Sequence, residues 1–349
     1  MNHNGKHRIV ALDILRGVAV FLMVLAHTIS FIYKGNSETL ELLKNVGNTV
    51  CFTTFLFTSG VSSYLAYIRI PENSWNRKRK SLSKRLLALI LGYYLVAFVS
   101  RIDSIGSVQD VIRILILRDV PGYTEFLIPF VVFGILILFG RSFIKRISSS
   151  VSTTLVLSVF FFVLGSTIYD LNTGGLLKPY ISILAGADGL YRFPLFQYFP
   201  VYLIGLNFGS RLKSNGGNIK IMALRYIPAQ LISMFVFFLP WEIPHINTFN
   251  RWPPSIFFIS VGLLFSLLTL VFTEIIHKKK SLKKFAGLGK TALGIYIWHD
   301  IILQINSKVF EYETELFLPT ILAFALVLSA SFGLVTLTRY SRFKVKSSK

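Results

Sequence analysis

Three ionisable residues interrupt one apolar run: Asp13, Arg16 and His27 lie in the stretch from Arg8 to Tyr33. In a membrane-crossing helix each would cost about 2.5 to 3.5 kcal/mol facing lipid, so such groups face a protein interior or a water-filled cavity and mark a functional site by default. Arg16 and His27 are eleven residues apart. At about 100° and 1.5 Å per residue, that spacing returns to within roughly 20° of one helix face and separates the two by roughly 16 Å along the axis. Asp13, three residues before Arg16, stands on the same side and can hold the guanidinium. The guanidinium is a rigid fork for phosphate or carbonyl oxygens. The imidazole can take a proton as general base or attack as nucleophile, and we prefer the base. A histidine hydrogen-bonded in a helix interface is the structural alternative.

The remainder of the chain must hold that stripe in place. Of 349 residues, 53% are hydrophobic and only 15% charged, and the mean hydropathy is +0.61. A soluble domain carries about 25% charged residues, so the composition predicts a polytopic membrane protein that meets lipid. The net charge of +21 would suggest nucleic acid in a soluble chain. Here the cations sit in alternate loops, which argues for membrane topology and against a nucleic-acid partner.

Apolar segments suited to a hydrocarbon core about 30 Å thick fall near 9–33, 46–68, 83–100, 124–140, 151–169, 196–210, 219–240, 254–276, 288–307 and 316–338. They predict an all-α fold of about ten transmembrane helices in a single domain, residues 1–349, with short basic tails at 1–8 and 339–349. With both termini cytoplasmic, the inside loops collect Arg77 to Lys80, Lys84 and Arg85, then Arg141, Lys145 and Arg146, then Arg211, Lys213 and Lys220. The next holds Lys278 to Lys280, Lys283, Lys284 and Lys290, while the outside loops carry scattered cations and the acids Glu311, Glu313 and Glu315. That asymmetry follows the positive-inside rule. In the outside loop 101–123, Val108 to Leu117 predicts a short interfacial helix with Asp110, Arg113 and Arg118 toward water.

Met1 to Arg8 resembles the basic start of a signal peptide, but the run that follows is too long and contains Asp13 and Arg16, so it reads as the first span. Cys51 is the only cysteine, which excludes an intramolecular disulfide and cysteine-based zinc sites. No nucleophile elbow, His-Glu-x-x-His pair or phosphate-cradling glycine loop occurs, and Gly287-Leu-Gly289-Lys290 lacks P-loop spacing. His3, His7 and His245 read as loop residues, and no metal is expected.

The segment Ala11-Leu-Asp-Ile-Leu-Arg-Gly-Val-Ala-Val-Phe-Leu-Met-Val-Leu-Ala-His27 resembles the first-helix signature of the transmembrane acyltransferase superfamily. That group includes acyltransferase family three and relatives of heparan-alpha-glucosaminide N-acetyltransferase. Phe55-Leu-Phe-Thr-Ser-Gly60 is similar to the family's apolar run ending in Ser-Gly. Lys84-Arg85 resembles its basic third-span entrance, and Leu288 to His299 its late segment. The resemblance implies a cell-membrane enzyme moving an acyl group, commonly acetyl, from cytoplasmic acyl-CoA to a sugar or glycan on the far side. It implies His27 and Arg16 as catalytic residues, with Asp13, Ser59 and His299 supporting.

A basic inner face suits the donor's phosphates, so Arg16, Lys84 and Arg85 are candidate donor-binding residues. Ser59 could place a hydroxyl toward the thioester or, with Gly60, allow close helix approach. His299 could line the same cavity, bind donor, or satisfy a buried partner. Two rival classes stay open: a transporter or flippase for a lipid-linked or acylated solute, and a non-catalytic partner of a glycan-assembly complex. The oligomeric state is open too.

Overall fold

The computed structural model describes residues 9–169, 175–187, 190–214, 216–235, 250–276 and 280–347. His3, His7, His245, Lys278, Lys279 and the tail 1–8 lie outside the described residues. The described chain is helical, with β-pairing limited to isolated bridges such as Tyr33 with Thr314.

Two helices form the centre. α1 (Val10–Ile32) and α2 (Glu38–Ser63), the latter continued by a π-helical turn at Tyr64–Ile68, pack on one another. Around them stand α3 (Trp75–Arg101), α5 (Ile128–Ser149), α6 (Val151–Tyr169), α8 (Leu195–Ser214) and α9 (Ile219–Phe235). The ring is completed by α10 (Ile256–Ile276), α11 (Lys280–Lys290), α12 (Ala292–Ile305) and α13 (Phe317–Ser347). Two short helices, α4 (Val108–Leu115) and α7 (Lys178–Ala185), lie in the long loops. α1 contacts α2, α10, α11, α12 and α13, and α2 contacts α8 and α10. In their most apolar windows, 67% of α1 and 78% of α2 is buried, against 28% of α6 and of α13, so the outer helices keep apolar faces for lipid.

Among the described residues, seven helices are long and apolar enough to cross a membrane; the last residues of the expected segment 219–240 lie outside the described residues. The expected span at 288–307 is divided. Thr291 leaves helical geometry and its hydroxyl turns back onto the carbonyls of Gly287, at 3.1 Å, and Leu288, at 3.0 Å, so α11 ends there and α12 begins. The expected interfacial helix is α4, entered through a capping box of Ser107 and Asp110.

Glycine pairs set the two tightest crossings. A Cβ on Gly17 would overlap the Phe285 carbonyl and one on Gly289 the Asp13 carbonyl, so α1 and α11 meet backbone to backbone. A Cβ on Gly60 would overlap the Tyr202 carbonyl and one on Gly205 that of Phe57, which seats α2 on α8 in the same way. Gly289 therefore serves packing.

Arg141 departs from its expected place in a basic loop. The backbone of α5 kinks at Gly140, and the next side chain turns inward, where it is buried. It donates to the carbonyls of Tyr67 at 3.1 Å, Ile68 at 3.3 Å and Ile70, and pairs with Glu72, closing the frayed end of α2. Its guanidinium also lies over Trp75, 4.9 Å from the ring centre.

Candidate active site

The helical spacing of the first span places Asp13 and Arg16 one turn apart, with Arg16 Nη1 3.5 Å from Asp13 Oδ1 and the carboxylate buried. Arg16 Nη2 reaches across to α2, donating to the Thr58 carbonyl at 3.0 Å and to the Ser62 hydroxyl. A guanidinium suits this work because its N–H bonds diverge in one plane. With Ser59 and Arg85, Arg16 lines a small cavity of about 100 Å³, walled by Phe126, Phe130 and Tyr296 among others. Lys84 does not join it. It is exposed, one residue and about 100° round α3 from Arg85.

His27 lies near the other end of α1, half-buried. Its Nδ1 is 2.9 Å from Nε2 of His299, which is fully buried on α12, and the rings stack at 5.1 Å. His299 Nδ1 in turn lies 2.9 Å from the Ile295 carbonyl. A carbonyl only accepts, so His299 carries its proton on Nδ1 and offers the Nε2 lone pair. That lone pair accepts a hydrogen bond from the Nδ1–H of His27. In the neutral pair His27 Nε2 is then unprotonated, and no hydrogen bond to it is made among the described residues. A backbone carbonyl thereby fixes the tautomer of an imidazole two residues away in the relay. Asp300, next on α12, is also fully buried, and neither carboxylate oxygen has a hydrogen-bond partner among the described residues.

Tyr123 packs against His27, with ring centres 4.9 Å apart and ring planes nearly perpendicular, and lies equally close to Phe31. Its backbone adopts φ 70°, which a bulky residue rarely accepts. The Tyr296 hydroxyl donates to the Tyr123 carbonyl and holds this strained turn. Burial keeps the Tyr123 hydroxyl above the ordinary phenol range, so it stays protonated.

A second cavity, about 310 Å³, opens at His27 and is lined also by Tyr123, Asn45, Asn48, Arg192 and Arg251, among others. Phe126 lines both cavities and stacks on Tyr296 at 4.9 Å and 18°. Arg16 and His27 thus line two cavities that share Phe126 as a wall residue. Burial, and more weakly the Arg192 charge, pull the Arg251 pKa below the ordinary guanidinium value, although an arginine keeps its charge.

The acyltransferase-3 family model, described as an acyltransferase domain, matches residues 9–340. The chain belongs to the acyltransferase-3 family. No curated protein matches the sequence. Family membership and the apolar helices together make the chain a multi-pass membrane protein of acyltransferase type.

Of the residues singled out in the sequence, the fold gathers Arg16, Asp13, Ser59 and Arg85 at one end of α1 and His27 with His299 at the other. Ser62, Tyr123, Phe126, Arg192, Arg251 and Tyr296 were not singled out. Nothing local in the sequence points to His27 as the neighbour of Tyr123. Among the described residues no group of three His, Cys, Asp or Glu side chains gathers to hold a metal.

Proposed function

We propose that this acyltransferase moves an acyl group, commonly acetyl, from cytoplasmic acyl-CoA to a hydroxyl or amine of a sugar presented on the far side of the membrane. The hydrogen-bonded series from the Ile295 carbonyl through His299 to His27 carries the reading. It leaves an unprotonated nitrogen on the wall of a cavity with room for a sugar ring. His27 Nε2 takes the acceptor proton as the acceptor oxygen or nitrogen forms its bond to the thioester carbonyl carbon. The carbon–sulfur bond breaks, and the imidazolium returns that proton to the departing thiolate. His299 orients His27 and accepts hydrogen-bonding from it throughout, in the manner of a base held by a third group.

The chamber at Arg16, about 100 Å³, is too small for a nucleotide and suits part of a pantetheine arm, with Arg16 and Arg85 as its cations. The nucleotide phosphates then remain at the basic cytoplasmic surface near Lys84. The roughly 16 Å along α1 between Arg16 and His27 is the path the arm follows, and Phe126 must swing aside for the thioester to arrive.

The test is thiol release by purified protein given acetyl-CoA and candidate glycans, with His27→Ala alongside. Acceptor-dependent thiol release that the variant loses supports the proposal. A fully active variant removes His27 as the base. Vectorial solute movement without thiol release replaces transfer by transport.

A further inference from the structure

The His27 cavity is lined by three cations, Lys44, Arg192 and Arg251, and two acids, Glu41 and Glu125. Both acids already have partners on the same lining. Glu41 holds Lys44 at 2.6 Å, and the Glu125 carboxylate accepts the backbone N–H of Arg192 at 2.7 Å. The guanidinium groups of Arg192 and Arg251 lie over one indole, that of Trp252, at 4.6 and 4.3 Å from the ring centre. Among the described residues no carboxylate reaches either guanidinium at salt-bridge distance, and Glu125 feels both charges without pairing with either side chain. Two cations held against one ring repel each other, and a ring quadrupole repays only part of that. A guanidinium over a ring face keeps its in-plane N–H bonds for another ligand, and the fork they form matches an oxyanion. Arg192 and Trp252 are exposed and Arg251 half-buried, so the pair can be reached from the cavity mouth. Asn45 and Asn48 on the same wall can both donate to and accept from sugar hydroxyls.

Resting on the reading of this cavity as the acceptor chamber, we infer that the acceptor is an anionic sugar whose carboxylate or phosphate is bound by Arg192 and Arg251 beside Trp252. The bound oxyanion neutralises the pair and fixes which hydroxyl or amine of the sugar reaches His27.

Binding is measured separately from turnover, on full-length His27→Ala protein in nanodiscs without acetyl-CoA. The probes are methyl glucuronide, methyl glucoside 6-phosphate and neutral methyl glucoside. We expect at least one anionic probe to bind about tenfold or more tightly than the neutral one at low salt, with the preference shrinking as salt rises. The better of the two anions distinguishes a uronic acid from a sugar phosphate. Arg192→Gln and Arg251→Gln should each erase most of the preference, whereas Arg251→Lys, which keeps a charge but not the fork, should retain part of it.

Equal binding of all three probes, no binding of either anion, or an undiminished preference in both glutamine variants overturns the inference. So does a result, in protein with His27 intact, in which the glutamine variants raise KM for acetyl-CoA and leave the acceptor KM unchanged. An active His27→Ala protein would instead sink the base assignment and leave the anion preference standing.

Discussion

Nδ1 of His27 and Nε2 of His299 are 2.9 Å apart across 272 residues of sequence. Because His299 is anchored to a backbone carbonyl, its removal frees the His27 ring to turn and to change tautomer. We expect His299→Ala to lower kcat about 10- to 100-fold with little change in KM for acetyl-CoA, and His27→Ala to lose about 10²- to 10⁴-fold. Steady-state thiol-release kinetics on both variants separate positioning from catalysis. A raised donor KM with kcat unchanged for His299→Ala would show that it binds donor instead.

Arg16 makes three kinds of contact at once, to Asp13, to the Thr58 carbonyl and to the Ser62 hydroxyl. Arg16→Lys keeps the charge and loses the fork. Hydrogen bonds to a charged group are worth about 1.5 to 3 kcal/mol, so the variant should unfold at a lower temperature in detergent and show a raised KM for acetyl-CoA. Ser62→Ala should reproduce part of the thermal loss.

Arg141 should prove indispensable to stability although it touches neither cavity. Arg141→Ala leaves the carbonyls at the end of α2 without their buried donor, a loss of about 1 to 3 kcal/mol by the behaviour of buried polar groups left unsatisfied, while the exposed Glu72 is simply hydrated. Thermal unfolding checks this, and protein that still folds should keep its KM values.

Phe126 is shared by the two cavities. Phe126→Ala should open a standing passage between them and admit water to the thioester. The expected result is a severalfold rise in acetyl-CoA hydrolysis without any sugar, with slower sugar-dependent transfer. Unchanged acceptor-free thiol release would argue against the ring as a partition.

The interfacial helix α4 should depend on pH through Asp110. The Ser107 hydroxyl, followed by the amides of Gly106 and Ser107, holds this carboxyl below the ordinary carboxylate range. A depressed pKa contributes stability that is present above the unfolded value, about 3.9, and is lost as pH falls through the lower folded value. Hydrogen exchange of peptides covering α4 should therefore show protection that holds down to about pH 4 and declines below it. Asp110→Asn should weaken protection at neutral pH and flatten the profile.

What could be read from the sequence follows from local periodicity. The Asp13 and Arg16 pairing and the all-helical character need only helix geometry and apolar runs, and both are found, with seven described helices able to cross a membrane where about ten were expected. The pairing of His27 with His299 joins the first helix to the twelfth, which no local pattern encodes. Arg141 looked like a loop cation because a kink at Gly140 cannot be told from an ordinary helix glycine. Lys84 and Arg85 are adjacent in sequence, yet only Arg85 reaches the cavity, since neighbours on a helix point about 100° apart. Arg192 and Arg251 were scattered outer-loop cations until the fold brought both to Trp252.

The backbone seam between Gly17 and Gly289 has a mechanical outcome. It rivets the helix bearing His27 to the one that leads into the His299 helix, so neither imidazole can be drawn away from the other without prising apart main chains that have no side-chain padding. Access to this machine must then be regulated by its furniture, the ring of Phe126 and the turn at Tyr123, while the two histidines stay bolted to a single frame.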